Sequence, residues 1–201
     1  MYSIAPIVYN WTIAERNPFF TELRFEAIPL RHKDHTHYFR GSIDDVRRRG
    51  DKLVIRDYKT GWELIKQFDL YYEDPQFTVY GLALLHLLGT HPRLARRCGV
   101  DPKEAEEWVG REGEFLDVLL MERVDIRREA VRPTTRTNMH AEELFERLDG
   151  LETQIEHNIF PAEREQHTCS RCPAYQRCVH DFREHAHYPL QGILFHEYEE
   201  L

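Results

Sequence analysis

The stretch that most constrains the fold is residues 41–59, because it predicts a β-hairpin with a defined register. Residues 41–46 and 52–59 have the character of strands, and the second contains an uninterrupted apolar run. Gly50 and Asp51 lie between them, and glycine readily takes the positive φ that a two-residue hairpin turn requires. We therefore expect the two segments to pair as antiparallel neighbours.

The register of this hairpin can be checked by the residue pairs that it creates. With Gly50 and Asp51 as the turn, Asp45 lies opposite Arg56 and Val46 lies opposite Ile55. An opposite-charge pair and an apolar pair across two strands each stabilise a ladder by roughly 0.2 to 1 kcal/mol. A shift of one residue would lose both pairs, so the sequence favours this register.

One pair in the same register is unfavourable, since Asp44 faces Asp57. Their Cβ atoms are expected about 4.5 to 5.5 Å apart, where like charges repel. A divalent cation such as Mg²⁺ or Mn²⁺, which prefers carboxylate and water oxygens, would convert this repulsion into chelation. Side chains alternate along a strand, so Lys59 shares the face of Asp57 and Tyr58 points to the other. Two solvated aspartates beside a lysine are the alternative interpretation.

A helix is predicted for residues 75–88. Asp74 is a suitable N-cap, a proline follows it, and Gly89 is expected to end the helix. Gln76 and Tyr80 are four positions apart, so they lie on one face near the N-terminus. Free N–H groups at a helix start, together with these two side chains, suit a phosphate or an attacking water.

Residues 21–30 alternate as a strand, with Phe25 and Ala27 on one face and Glu26 and Ile28 on the other. Glu26 is therefore a candidate third carboxylate, with a surface glutamate as the alternative. The remaining pattern predicts a short helix at 103–109, strands at 114–124 and 126–131, and an amphipathic helix at 141–159.

Five motifs follow one another along the chain: Glu26, Gly41-Ser42-Ile43-Asp44, Asp57-Tyr58-Lys59-Thr60-Gly61, Gln76-Phe77-Thr78-Val79-Tyr80, and the cysteines Cys169, Cys172 and Cys178. Their order and spacing resemble the RecB-like branch of the PD-(D/E)xK nuclease superfamily, which includes the nuclease domains of bacterial recombination helicase-nucleases and the CRISPR-adaptation exonucleases. The resemblance implies an α/β fold with a restriction-endonuclease-like mixed central sheet flanked by helices.

The resemblance also implies a metal-dependent DNA nuclease, with an exonuclease in repair, recombination or phage- and CRISPR-related processing as the expected type. Mg²⁺ or Mn²⁺ would be held by Asp44, Asp57, the Tyr58 carbonyl and Glu26. Lys59 would stabilise developing negative charge. Gln76 and Tyr80 would orient the phosphate or the water, as their helix does in the family.

The cysteine segment, Cys169-x2-Cys172-Pro173-x4-Cys178, has a spacing typical of zinc and iron–sulfur sites. In the resembling family, such a trio joins a cysteine near the start of the domain to hold a 4Fe-4S cluster. No cysteine precedes Cys98 here. Three interpretations stay open: Cys98 as fourth ligand of a cluster, a Zn²⁺ site completed by His167 or His180, or a segment held by packing alone.

Histidines give two further observations. His32, His35 and His37 resemble a metal-binding tract, but their polar connection offers no apolar frame to fix three imidazoles, so a solvated loop is the preferred interpretation. Many family members carry a histidine ahead of the first strand, and none occurs before His32. The rival function is therefore a catalytically impaired DNA-binding or scaffold module derived from such a nuclease.

Composition bounds the remaining expectations. A net charge of −8 argues against a chain that coats nucleic acid nonspecifically. No apolar run approaches a membrane span and no secretory signal is visible, so we expect a cytoplasmic protein. The resemblance, and not composition, implies the partners: DNA that is single-stranded or has single-stranded ends, and a protein partner in a repair, recombination or phage complex. The predicted organisation is a nuclease core at 1–160, a cysteine-rich segment at 161–182 and a tail at 183–201.

Overall fold

The computed structural model describes residues 18–61, 70–71 and 74–157 of the 201-residue chain. Contacts divide the chain into two compact units, Met1–Thr153 and Gln154–Leu201. All the strands described below belong to the first unit, and of the second unit only residues 154–157 are described. The domain boundaries predicted at residues 160 and 182 lie outside the described residues and stay predictions.

The first unit is built on a five-stranded mixed sheet. Its strands are β1 (Phe20–His32), β2 (His35–Arg49), β3 (Lys52–Lys59), β4 (Leu119–Asp125) and β5 (Ala130–Thr134). They lie side by side in sequence order, and each neighbour is antiparallel except for the parallel pair β3 and β4. The prediction of a mixed central sheet with flanking helices is confirmed.

β3 is the buried centre of this sheet. Leu53, Val54 and Ile55 are all buried, although successive residues point to opposite faces. A strand covered on both faces reads as a continuous apolar run, which is what the sequence shows here. Its parallel pairing with β4 requires a crossover connection, and residues between the two strands supply it as helices.

The described helices are α1 (Gln76–Thr90), α2 (Pro92–Arg97), α3 (Pro102–Glu106) and α4 (Asn138–Glu156), with 3-10 turns at Glu112–Val118 and Ile126–Arg128. α1 is the main core helix, and Leu82, Leu85 and Leu88 on it are fully buried. A Cβ at Gly81 would lie 2.7 Å from Met121 Cε on β4, so glycine lets α1 approach the sheet closely. No helix within the described ranges is long and apolar enough to cross a membrane.

The hairpin register predicted from the sequence is confirmed. Asp45 pairs with Arg56 and Val46 pairs with Ile55. Gly50 takes a φ of 63°, which is the conformation that favours glycine in such a turn. The register holds because a slip of one residue would send every side chain of a two-sided buried strand to the wrong face.

The predicted faces of β1 are wrong beyond Phe25. The pairing with β2 shifts between Phe25 and Ile28, and Ala27 in between has a φ of 50°. This bulge inserts an extra residue, so Ile28 joins Phe25 in the core while Ala27 is exposed. Alternation counted from the sequence assigned Ala27 to the core face instead.

Gly89 does not end α1. The helix begins at Gln76 and continues through Gly89 to Thr90. A Cβ at Gly89 would lie 2.6 Å from the Ala105 carbonyl oxygen, so this glycine lets α3 pack against α1. The residue is required for a close approach between helices and not for a helix stop.

The predicted strand at 114–124 is wrong in its first half. Residues Glu112–Val118 form a 3-10 turn, and β4 begins only at Leu119, opposite Leu53. The apolar residues before Leu119 pack from this turn, and Leu116 is fully buried there. A short apolar run does not by itself distinguish a strand from a buried turn. The next strand, β5, likewise begins at Ala130, after a second 3-10 turn.

Candidate active site

Asp57 and Lys59 lie on one face at the C-terminal end of β3. Lys59 Nζ is 3.0 Å from Asp57 Oδ1 and 2.8 Å from Oδ2. Asp57 is buried whereas Lys59 is about one-third exposed. Burial raises the pKa of Asp57 more than the hydrogen bond and charge of Lys59 lower it, and the Asp44 charge raises it further. The predicted sharing of one face is confirmed by this contact.

The N-terminus of α1 brings Gln76 and Tyr80 to the same place. Gln76 Nε2 donates to Asp57 Oδ1 at 3.1 Å and to the Tyr80 hydroxyl at 2.6 Å. Gln76 Oε1 accepts from Lys59 Nζ at 3.0 Å. The amide orientation is thus fixed, because the ammonium only donates and the carboxylate only accepts. Asp57, Lys59, Gln76 and Tyr80 form one hydrogen-bonded cluster.

Tyr80 is half-buried between aromatic rings. It packs edge-on against Phe25 and Phe77, with ring centroids 6.4 and 6.5 Å apart. Burial raises the pKa of its hydroxyl; the Gln76 hydrogen bond lowers it, and the Asp57 charge raises it. The hydroxyl therefore keeps its proton at neutral pH and, because it accepts from Gln76, can donate that proton to a ligand.

Asp44 is held beside β3 by the backbone. Its Oδ2 accepts the Tyr58 N–H at 2.9 Å. The ladder between β2 and β3 has Asp45 and Arg56 as its last pair at this end, so the expected Asp44–Asp57 pair is not a ladder pair. At this position the Asp44 side chain, and not its backbone, accepts the hydrogen bond from β3. Its carboxylate is still near enough to Asp57 to help raise the Asp57 pKa.

The opposite face of these strands carries buried charges that pair with one another. The Tyr58 hydroxyl donates to Asp45 Oδ2 at 2.9 Å, and Arg47 Nε donates to Asp45 Oδ1 at 2.9 Å. Arg56 Nε donates to Glu122 Oε2 at 2.7 Å. Burial raises the pKa of Tyr58 to about 12, with the Asp45 charge adding to it. Tyr58 therefore points away from Asp57, as predicted, and this face is structural.

Arg136 anchors the start of α1, and sequence reasoning missed it. Its guanidinium is fully buried, and all five of its N–H groups have acceptors. The acceptors are Thr78 Oγ1 at 3.0 Å, Thr134 Oγ1 at 2.9 Å, and the carbonyls of Thr135 at 3.0 Å, Leu70 at 2.7 Å and Asp74 at 2.8 Å. Thr78 and Leu70 precede Arg136 by 58 and 66 residues, so no local signal could have revealed the contact.

The structure does not bring Glu26 to the carboxylates of Asp44 and Asp57. Glu26 is exposed, and within the described ranges it forms no group with them in which the oxygens lie within 4.8 Å of one another. The reason is that Phe25, its neighbour on β1, occupies the face toward α1, where its ring packs on Tyr80, so Glu26 points to the other face and is exposed. We therefore leave Glu26 out of the proposed ligand set.

Cys98 is buried in the hydrophobic core at the C-terminal end of α2. Burial raises the pKa of its thiol to about 11, against smaller effects of Arg97 and Arg48. A thiol must lose its proton to bind a metal, so ligation would have to offset this cost, and the role of Cys98 as a fourth ligand stays a prediction. Cys169, Cys172, Cys178, His167 and His180 lie outside the described residues, and their roles stay predictions.

The residues near Asp57 fit a divalent cation. Asp57 Oδ2 is buried and has no hydrogen-bond partner, although Lys59 Nζ lies 2.8 Å away and donates to Oδ1. Asp44 uses one oxygen for the Tyr58 N–H. Two carboxylates and a neighbouring backbone carbonyl are an oxygen-only donor set, which suits Mg²⁺ or Mn²⁺ and not the softer metals.

Comparison with known proteins agrees with this site. A sequence model of the PD-(D/E)XK nuclease superfamily matches residues 4–179, which is most of the chain. Neither the curated proteins nor the solved structures that were searched contain a significant match. The matched range includes the hairpin that carries Asp44, Asp57 and Lys59, and also α1. The chain belongs to the PD-(D/E)XK nuclease superfamily.

Proposed function

We propose that this chain is a divalent-metal-dependent deoxyribonuclease of the RecB-like branch, most simply a cytoplasmic exonuclease acting on single-stranded DNA or single-stranded ends. The observation that carries the proposal is the cluster of Asp57, Lys59, Gln76 and Tyr80, in which one carboxylate oxygen is left without a hydrogen bond. Its biological setting would be repair, recombination or phage- and CRISPR-related processing, with a protein partner in that complex.

Each residue of the cluster has a distinct part. Asp44, Asp57 and the Tyr58 carbonyl would hold Mg²⁺ or Mn²⁺, which when bound polarises the scissile phosphate and lowers the pKa of a water. The Lys59 ammonium is partly exposed and faces the same side as Asp57, so it can stabilise negative charge that develops on the phosphate.

Gln76 and Tyr80 supply orientation. The Gln76 amide is held by three partners, so its position is set before a substrate arrives. Tyr80 has a protonated hydroxyl whose oxygen is already an acceptor, which leaves its O–H to donate to a phosphate oxygen. Preorganised donors of this kind cost no rearrangement during the reaction.

Cleavage of labelled DNA by the purified full-length chain tests the proposal. Single-stranded, blunt and overhanging substrates are incubated with Mg²⁺ or Mn²⁺, and with EDTA. Asp57→Asn and Lys59→Met should each lower the rate by about 10²- to 10³-fold, which is the usual cost of removing a group that stabilises transition-state charge. Asp51→Asn, in the exposed turn of the same hairpin, is the matched control and should cleave like the wild type.

DNA binding measured in parallel separates the two candidate functions. Cleavage that requires the metal and Asp57 supports the nuclease. Binding without cleavage under any metal would instead identify the DNA-binding or scaffold module. A rate unchanged by both Asp57→Asn and Lys59→Met would mean that the chemistry lies elsewhere in the chain.

The cysteine segment is a separate part of the proposal. Cys169, Cys172 and Cys178 would hold a 4Fe-4S cluster or, alternatively, Zn²⁺. Anaerobic purification followed by metal analysis and absorption spectroscopy tests this. Iron with a broad visible band favours the cluster, colourless protein with zinc favours a zinc site, and neither metal leaves a packing role.

A further inference from the structure

The end of the β1–β2 hairpin packs three histidines against the acidic side of α4. His32 ends β1, and His35 and His37 lie at the start of β2. Their partners on α4 are Glu142, Asp149 and Glu152. The contacts join positions more than 100 residues apart, so they arise from the fold and not from local sequence.

Phe145 gives these imidazoles the apolar support that their polar sequence context lacked. The His32 ring stacks on Phe145 with centroids 5.0 Å apart, and the His37 ring stacks on it at 5.9 Å. His37 in turn stacks on His35 at 6.2 Å. The rings are therefore held in near-parallel planes, and the interpretation of solvated loop histidines is wrong.

Asp149 is oriented by two of the histidines. His32 Nδ1 lies 3.1 Å from Asp149 Oδ2, and His37 Nε2 lies 2.8 Å from Oδ1. Both oxygens of Asp149 are therefore held, and its carboxylate has a fixed position. Metal-binding carboxylates are commonly supported in this way by hydrogen bonds.

His35, Asp149 and Glu152 converge at the rim of this cluster. One ligand atom from each lies within 4.8 Å of the other two, and His35 Nδ1 is 3.0 Å from Glu152 Oε2. His32 does not belong to this group; its Nε2 contacts Glu142 at 3.1 Å and its Nδ1 contacts Asp149 at 3.1 Å. His35 and Glu152 are each about half exposed, so a cation can reach them from solvent.

We propose that His35, Asp149 and Glu152 form a second metal site that takes Zn²⁺ or a similar borderline transition-metal ion. Zn²⁺ is bound by imidazole nitrogen and by carboxylate oxygen, so one histidine and two carboxylates, completed by water, can supply its four ligands. Ligand atoms around tetrahedral zinc are about 3.3 Å apart, so the present spacing needs only small side-chain adjustments. Mg²⁺ is disfavoured because imidazole is a poor ligand for it.

Such a site would fasten the hairpin end to α4. It lies nine residues along β2 from Asp44, or about 30 Å at the rise of a strand. Zinc would therefore act on stability and not on cleavage, and the inference does not depend on the proposed nuclease function. A metal that binds the folded state but not the unfolded state raises the apparent stability of the chain by mass action.

Zinc stoichiometry of the full-length chain tests the inference. EDTA-stripped protein is dialysed against micromolar free Zn²⁺ with millimolar Mg²⁺ present, and bound zinc is measured by elemental analysis. The double variant His35→Ala/Glu152→Gln should bind one zinc fewer per chain than the wild type. Glu146→Gln, an exposed carboxylate change on the same helix, should bind as the wild type does.

The result is the difference in bound zinc per chain between the wild type and the double variant, so any zinc held by the cysteine segment cancels. Zinc should also raise the Tm of the wild type and of Glu146→Gln by more than that of the double variant. Because both altered side chains are half exposed, the variant is expected to fold, and circular dichroism checks this. Equal stoichiometry in wild type and double variant, or displacement of the zinc by Mg²⁺, overturns the inference.

Discussion

Replacing Arg136 by lysine tests whether this buried side chain positions the start of α1. Lysine keeps the charge but offers three donors from one nitrogen, in place of five donors from a planar fork. Arg136 reaches the carbonyls of Leu70 and Asp74 with one nitrogen and Thr78 with another. A single ammonium cannot bond all of these directions, so at least two hydrogen bonds should be lost.

The expected cost follows from those lost bonds. Each contributes about 0.5 to 1.5 kcal/mol net, so Arg136→Lys should destabilise the fold by about 1 to 3 kcal/mol. Burial lowers the pKa of Arg136, because removing the guanidinium from water penalises its charged form. Arg136→Met removes every donor and should cost more than the lysine change, because each buried carbonyl left without a partner costs about 1 to 3 kcal/mol.

Urea unfolding followed by circular dichroism measures this cost, with Arg93→Lys on the exposed side of α2 as the control. The cleavage rate should fall together with stability. Arg136 holds the carbonyl of Asp74, which precedes Gln76 by two residues, so losing this bond should displace the Gln76 side chain. A shift of about 1 Å in a positioning group can lower a rate by about 10²-fold. An Arg136→Lys variant with the wild-type urea midpoint and the wild-type rate would refute the anchoring role.

Two further changes probe the buried carboxylate and the glycines. Asp57→Asn should raise the Tm at pH 7 in metal-free buffer, because burial raises the Asp57 pKa and makes its ionised form costly. In the wild type, protonated Asp57 contributes stability that is lost as the pH rises through its raised pKa. The difference in Tm between Asp57→Asn and the wild type should therefore shrink on acidification. A difference that grew would contradict the reasoning. Gly89→Ala should cost about 1 to 3 kcal/mol, because its Cβ would meet the Ala105 carbonyl. Gly150→Ala in α4 meets nothing within 4 Å and should stabilise by about 0.5 to 1 kcal/mol. An unchanged or raised urea midpoint for Gly89→Ala, or a lowered one for Gly150→Ala, would refute the corresponding prediction.

The hairpin could be predicted from the sequence because its information is local. A turn glycine, one opposite-charge pair and one apolar pair all specify the same register, and they lie within fifteen positions of one another. Gln76 and Tyr80 could likewise be assigned to one face from their helical spacing. The contact between that helix and Asp57 came from the resemblance, since periodicity does not say which elements touch.

Other features depended on contacts that a single sequence does not reveal. Alternation along β1 does not say which face meets α1, so Glu26 was expected near the site although Phe25 occupies that face. The β1 bulge also leaves no trace in an alternating pattern, so Ala27 and Ile28 were assigned to the wrong faces. Gly89 has the chemistry of a helix stop, and only the nearby Ala105 shows that it serves packing instead. The histidines of the hairpin end and the carboxylates of α4 are more than 100 residues apart, so their cluster becomes visible only in the fold.

The parallel pairing of β3 with β4 determines how long β3 lacks this partner while the chain is being synthesised. Asp57 and Gln76 bond across 19 positions, whereas Arg56 and Glu122 bond across 66. All four residues of the cluster around Asp57 are therefore synthesised before β4, although Arg136, which anchors the start of α1, follows it. Until β4 is made, the edge of β3 stays open for about 60 residues of translation, or about 3 to 12 s. An open, apolar edge is a template for pairing with another chain. The strand that carries Asp57 and Lys59 is thus exposed to aggregation at this stage of synthesis, and a pause in translation before β4 would lengthen that exposure.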